Sequence, residues 1–342
     1  MHAVMERIKG KVIDSGQLKL LSGAHDEKTL HPAGKAASNL SMRLFLLNHT
    51  HRFMGKAAAI FAALFVVSAC SQLGAFNTFA GRDAAGERIA SDIAYGNHPR
   101  QQLDIYAPSK GTGAKRNALL PVVVFFYGGS WNSGSRQDYA FVGSALAAKG
   151  YVTVIADYRL VPEVVFPTFL DDNASAVRWV QDNIRGYGGN AQRLALAGHS
   201  AGAYNAVMLA LDTQYLRRAG VDPSTIKAVA ALAGPYDFLP FTSAPAQAAL
   251  GAWPMPKETQ PITFARANAP PVFLATGDAD TTVMPRNTVT LTGLLREEGS
   301  SVVVRRYATI DHAGILLALS KLMRNRAPVL DDMVQFLGTH LK

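Results

Sequence analysis

A chain of 342 residues, 49% hydrophobic and 17% charged, can bury a large core, which excludes a chain disordered throughout. Its formal charge of +9 is concentrated early, since residues 1–69 hold nine Lys and Arg against four Asp and Glu. The basic residues are not interleaved with aromatics, so no nucleic-acid partner is expected. A single cysteine, Cys70, excludes an intramolecular disulfide.

In chain order, residues 1–53 come before any signal-like segment. A signal sequence begins within a few residues of its charged start, so this stretch reads as a disordered leader or as sequence upstream of a true start at Met54, or alternatively Met42. Residues 54–69 follow the plan of a signal peptide: Met54-Gly55-Lys56, then an uncharged apolar run from Ala57 to Ala69, too short to span a bilayer. Val67-Ser68-Ala69-Cys70 resembles the lipobox of bacterial lipoproteins, in which the cysteine is acylated and becomes the mature N-terminus. The resemblance implies a membrane partner through a lipid anchor at Cys70, whose diacylglycerol supplies the two chains that stable anchoring needs. Ser71 is not the Asp of an inner-membrane retention signal, so the implied location is the bacterial outer membrane, periplasmic side. A buried helix with an incidental cysteine is the alternative.

Residues 70–93 read as linker and 94–342 as the catalytic domain. Apolar, β-branched runs alternate there with amphipathic stretches, the pattern of parallel strands joined by crossover helices in an α/β fold. Expected strands are Leu103 to Tyr106, Pro121 to Tyr127, Tyr151 to Ala156, Leu194 to Ala197, Val229 to Ala233, Val272 to Thr276 and Ser301 to Tyr307. The clearest helices are Phe169 to Ile184 and Ala201 to Leu211. Residues 241–261 carry Pro245, Pro254, Pro256 and Pro261 around Trp253 and cannot be one long helix, so they are expected to form a small cap insertion.

Gly198-His199-Ser200-Ala201-Gly202 follows the strand ending at Ala197 and opens a helix, the context that makes G-x-S-x-G a nucleophile elbow. Its glycines permit a turn too tight for side chains, and the helix N-terminus favours developing negative charge at Ser200. A serine needs a base and an orienting acid, which in this fold follow in the order Ser, Asp or Glu, His. Gly277-Asp278-Ala279-Asp280 follows a strand at the same sheet edge and offers two carboxylates, Asp278 and Asp280. His312, after the last strand and before a helix, is the candidate base, with Asp311 as surface or cap. The strand Pro121 to Phe126 runs into Tyr127-Gly128-Gly129-Ser130-Trp131, so the N–H groups of Gly129, Ser130 and Ala201 are the expected oxyanion donors. His199, Trp131, Trp253 and Met255 are candidate pocket residues.

Together with Asp157-Tyr158-Arg159-Leu160, Pro162-Glu163, Phe166-Pro167, Asp172, Trp179-Val180, Asn183 and Gly188-Gly189, these motifs give a region from Ala94 to Leu341 that resembles bacterial α/β-hydrolase esterases of the hormone-sensitive-lipase-like and feruloyl-esterase-like groups. The resemblance implies a mostly parallel central sheet flanked by helices and hydrolysis of short-chain or aryl carboxylic esters. It selects Asp280 over Asp278, because Asp280 fits the G-x-x-D-x-x-V pattern of related esterases. One departure is Tyr127, where the family's loop begins HGG. Another is His199, where relatives often carry Asp or Glu.

The implied substrate is a small-molecule ester, attacked by Ser200 with no cofactor and no metal. Two other readings are an arylformamidase, because kynurenine formamidases share a similar GG-x-W loop, and a non-catalytic envelope lipoprotein on a hydrolase fold.

Overall fold

The computed structural model describes residues 72–109 and 118–342. The leader at 1–53, the signal segment at 54–69 and Cys70 lie outside the described residues. The elements run α1 (Gln72–Phe79), β1 (Gly86–Ala94), β2 (Gln102–Pro108), β3 (Leu120–Phe126), α2 (Ala140–Ala148), β4 (Val152–Ala156), α3 (Thr168–Asn183), β5 (Gly189–His199), α4 (Ala201–Leu211) and α5 (Gln214–Arg218). They continue β6 (Ile226–Leu232), α6 (Ala244–Leu250), β7 (Val272–Gly277), α7 (Arg286–Glu297), β8 (Val302–Tyr307), α8 (His312–Leu317) and α9 (Val329–His340).

The eight strands form one sheet in the order β1-β2-β4-β3-β5-β6-β7-β8. β1 and β2 are antiparallel to each other, and β2 to β4; every other pair is parallel. The central strands are buried because helices flank the sheet, so Val122 to Phe126 have no exposed surface and read as an unbroken apolar run. β3 pairs with β4 on one side and β5 on the other, with Phe126 opposite Ala156 and Gly198. The chain order reverses there, and such a switch point leaves a crevice beyond the carboxyl ends of the strands. Both Gly128-Gly129 and Ser200 emerge at that point.

All seven expected strands are present, but the stretch read as linker differs. Residues 72–79 form α1 and residues 86–94 form β1, an edge strand exposed along most of its length. Without a buried face it shows no apolar alternation, and its place depends on pairing with β2. The insertion between β6 and β7 contains α6, capped by the Ser243 hydroxyl on the Ala246 N–H, and then 3-10 turns at Pro256–Thr259 and Pro261–Phe264.

A buried charge cluster secures the antiparallel edge to the β3–α2 connection. Arg136, 3% exposed, donates from Nε to Asp104 (2.8 Å) and from its backbone N–H to Asp157 (2.7 Å), and its guanidinium also meets the Asp157 and Asp92 carboxylates and Gln102. Asp104 takes a further bond from Arg88 at 3.1 Å. Removing the arginine would leave buried Asp104 with Arg88 alone and buried Asp157 with only the more distant Arg100, 4.0 Å away. Arg136→Met is therefore expected to lower unfolding free energy by about 3–5 kcal/mol, read by urea denaturation, with Arg136→Lys losing less.

Candidate active site

Ser200 sits between β5 and α4 with φ 55 and ψ −125, a left-handed conformation that a non-glycine residue holds only when its surroundings impose it. The surroundings are two backbone approaches. A Cβ at Gly198 would lie 2.3 Å from the Gly202 carbonyl oxygen, and one at Gly202 would lie 2.0 Å from that of Phe126. No side chain fits at either position. The Ser200 N–H donates to Leu232 of β6 (2.9 Å) and its carbonyl accepts from Tyr204 (3.0 Å), so the turn is held on both sides.

The structure brings Ser200, His312 and Asp280 into one chain of hydrogen bonds. Ser200 Oγ lies 2.8 Å from His312 Nε2, and His312 Nδ1 lies 2.8 Å from Asp280 Oδ2. Asp280, 2% exposed, accepts the Thr282 and Val283 N–H groups on its other oxygen at 2.9 and 2.8 Å. With Nδ1–H donated to the carboxylate, Nε2 keeps its lone pair for the serine hydroxyl; this tautomer follows from the network. Asp278 points elsewhere, to Arg306 Nε at 2.8 Å. Asp311 caps α8 by accepting the Gly314 N–H at 2.7 Å.

The loop after β3 carries three consecutive residues with positive φ: Gly129 (128), Ser130 (51) and Trp131 (59). The N–H groups of Gly129, Ser130 and Ala201 have no hydrogen-bond partner among the described residues, which leaves them free for an oxyanion. Trp131 anchors the strained loop. Its indole N–H donates to Asn205 Oδ1 (3.1 Å), one turn beyond Ala201 on α4, while its carbonyl accepts from Val161 (2.9 Å). The oxyanion loop is thereby tied to the helix that carries the nucleophile.

Tyr127, in place of the expected histidine, is fully buried and stacks on Tyr158 at 4.8 Å. Its hydroxyl accepts from Arg100 (2.7 Å), whose guanidinium also reaches the carbonyls of Tyr158 and Gly134 at 2.9 Å each. Burial pushes the Tyr127 hydroxyl far above its usual range, so it stays protonated. An aromatic stack and one arginine hold the loop here.

Ser200, Ala201, Ser130 and Trp131 face a cleft of about 210 Å³ whose far walls include Phe238, Pro245, Ala246 and Val283. Three of the expected pocket residues lie elsewhere. Trp253 donates its indole N–H to Glu258 (2.9 Å) and packs edge-on against Phe166, facing another cavity. Met255 is 57% exposed at the surface. The prolines around both residues break the insertion into short turns, and these direct the two side chains away from the cleft. His199 lies behind the triad: its Nε2 meets the His312 carbonyl at 2.9 Å and its ring is 4.8 Å from that of His312. Phe238 and Asn205 were missed, and no local motif marks either one. Thr282 and Val283, which line the cleft, sit inside the acid motif itself.

A family model matches residues 103–295, more than half of the chain, and its description is BD-FAE. The chain belongs to the BD-FAE family. The BD-FAE match contains Ser200, Asp280 and the whole oxyanion loop, while His312 lies beyond it. Among curated proteins, the chain is 33% identical over 157 residues to a probable isoprenylcysteine alpha-carbonyl methylesterase, ICMEL1, of Oryza sativa, covering 44% of this chain and 36% of that protein. It is also similar to the esterases LipC (35% over 157 residues; 43% of this chain, 36% of that one) and LipQ (28% over 269 residues; 72% and 62%) of Mycobacterium tuberculosis. The chain thus spans about a third of the length of the first of these relatives. Among solved structures, a tributyrin phosphonate-inhibited esterase B of Lactobacillus rhamnosis superposes with a TM-score of 0.68 at 19% identity, over 82% of this chain and 95% of that one. An esterase of Pyrobaculum calidifontis gives 0.62 at 22%, over 79% and 92%. These likenesses identify the BD-FAE chain as an α/β-hydrolase fold.

Burial, and secondarily the neighbouring His312, push His199 down from 6.5 to about 3. The native state therefore binds fewer protons than the unfolded chain between those values, so the stability this neutral imidazole contributes is complete above pH 6.5 and is lost as pH falls toward 3. The stability difference between parent and His199→Gln is expected to shrink over that window, with a slope approaching about 1.4 kcal/mol per pH unit in paired denaturation curves. A difference independent of pH would contradict it.

Proposed function

We propose that this protein is a serine carboxylesterase acting on short-chain or aryl esters through an acyl-enzyme. The observation that carries the reading is the unbroken relay from Ser200 Oγ through His312 to Asp280, at 2.8 Å per link, beside free N–H groups at Gly129, Ser130 and Ala201. Ser200 attacks the ester carbonyl as His312 Nε2 takes its proton, and Asp280 holds the imidazole and balances its charge. The N–H groups receive the tetrahedral oxyanion, and His312 returns the proton to the departing alcohol. Water, deprotonated by the same imidazole, then releases the acid. The esterase names of the relatives agree with this chemistry. A cleft of about 210 Å³ walled by Trp131 and Phe238 suits small or flat groups rather than long acyl chains.

A panel of p-nitrophenyl esters from acetate to laurate, with N-formylkynurenine beside them, tests this. Hydrolysis is expected to peak at short acyl groups and to fall at least about tenfold in kcat/KM toward laurate. Asp280→Asn should lose about 10⁴-fold in kcat, while Asp278→Asn stays within about threefold of the parent. Turnover of the formamide alone would favour an arylformamidase, and no turnover of any panel member would overturn the reading.

We also propose that Cys70 carries a lipid anchor that places the enzyme on the periplasmic side of a bacterial outer membrane. The apolar run from Ala57 to Ala69 and its Val67-Ser68-Ala69-Cys70 ending support this. Cys70→Ala is expected to move the protein out of the membrane fraction, and unchanged fractionation would contradict the anchor.

A further inference from the structure

Trp253, an aromatic residue of the insertion that the catalytic cleft does not use, faces a second cavity of about 260 Å³. The cavity lies between the chain entering α3, the start of α5 and the turns that follow α6. Its apolar walls are rings: Phe166 stands edge-on to Trp253 (5.1 Å, 76°) and to Tyr215 (6.5 Å, 78°), and Phe264 completes the lining. Phe166 and Tyr215 are almost wholly buried.

Two carboxylates share this space. Asp212, 8% exposed, accepts only the Gln214 backbone N–H (3.3 Å) and side-chain amide (2.7 Å), and Glu258 accepts the Trp253 indole N–H. Neither forms an ion pair with any described residue. The nearby cation, Arg218, is engaged otherwise: it donates to Asp171 (2.5 Å) and to Gln214 Oε1 (2.8 Å), with its guanidinium carbon 4.7 Å over the Tyr215 ring. Asp171 balances Arg218, so the cavity holds an excess of negative charge. Burial first, and then Asp212, push the Tyr215 hydroxyl above the usual range; Asp171 and Glu258 act the same way, against Arg218.

A buried carboxylate without a cation is costly, and ring faces attract positive charge. A hydrated metal ion would gain nothing from these ring walls, and an anion would be repelled. A neutral hydrophobe would leave both carboxylates unpaired. We propose that this cavity binds an organic cation, an alkylated ammonium group whose charge faces Asp212 and Glu258 and whose methyl or methylene groups lie on Trp253, Tyr215 and Phe166. The site is separate from the catalytic cleft, and a run of packed side chains connects the two. Phe166 meets Phe169 (6.2 Å), which stacks on Trp131 (6.0 Å), and the Phe166 N–H donates to Ala249 of α6 (2.8 Å), the helix whose Ala246 lines the cleft.

Choline is a suitable probe, titrated into the nitrogen-labelled full chain while the indole N–H resonance of Trp253 is followed; that signal is the one missing from Trp253→Phe. A saturable shift is expected. The uncharged isostere, with tert-butyl in place of trimethylammonium, should bind about tenfold more weakly. Glu258→Gln should weaken choline binding by about threefold or more, and Arg218→Gln should tighten it; both positions are partly exposed, and the parent titration needs neither. No saturable shift of Trp253 would overturn the proposal. Equal affinity for the uncharged isostere, or opposite responses of the two variants, would do the same.

Discussion

Everything at the site depends on a close approach of main chains where β5 turns into α4. Gly202 lies so near the end of β3 that a methyl group there would collide with the Phe126 carbonyl, and Gly128 approaches Ser200 from the other strand's loop. That contact places the nucleophile and the oxyanion loop side by side at the switch point of the sheet. It also obliges Ser200 to adopt its left-handed backbone, a local cost of about 1–3 kcal/mol that the surrounding sheet and helix offset. The parallel strands β6, β7 and β8 then continue the same edge, so the chain leaving β7 delivers Asp280 and the chain leaving β8 delivers His312.

Polar groups fasten the loops that this geometry leaves exposed. Trp131 links the oxyanion loop to α4 through Asn205, Arg100 and Tyr158 brace Tyr127, and Arg136 holds the connection just beyond. His199 performs a related task behind the triad. Its ring meets the His312 carbonyl, and its second nitrogen, Nδ1, is buried with no partner. A charged imidazole there would confront His312, and burial keeps it neutral.

The chemistry was more legible in the sequence than the walls of the cleft. Central parallel strands are buried on both faces, so the elbow and acid motifs follow the apolar stretches Leu194 to Ala197 and Val272 to Thr276, whereas the base follows edge strand β8, where Val302 to Val304 give way to exposed Arg305 and Arg306. Asp280 and Asp278 differ in what their turn does with them: one accepts two turn N–H groups and reaches His312, the other meets Arg306. Edge strand β1 was illegible because it is mostly exposed and held by pairing with β2 and by the ion pairs of Arg88 and Asp92, neither of which leaves an apolar alternation. Trp253 and Met255 were misplaced because proline-broken turns set side-chain direction, which composition does not encode. Phe238 and Asn205 act through partners more than seventy residues away in Trp131's case, a tertiary pairing without a local pattern.

The central claim is that Ser200 is a nucleophile activated through His312. Its most direct test is to treat the full chain with a fluorophosphonate and locate the adduct by intact mass and peptide mapping. The account expects one adduct per chain, on Ser200, absent from Ser200→Ala and formed far more slowly in His312→Ala. An unmodified protein, or an adduct on another residue that persists in Ser200→Ala, would contradict it.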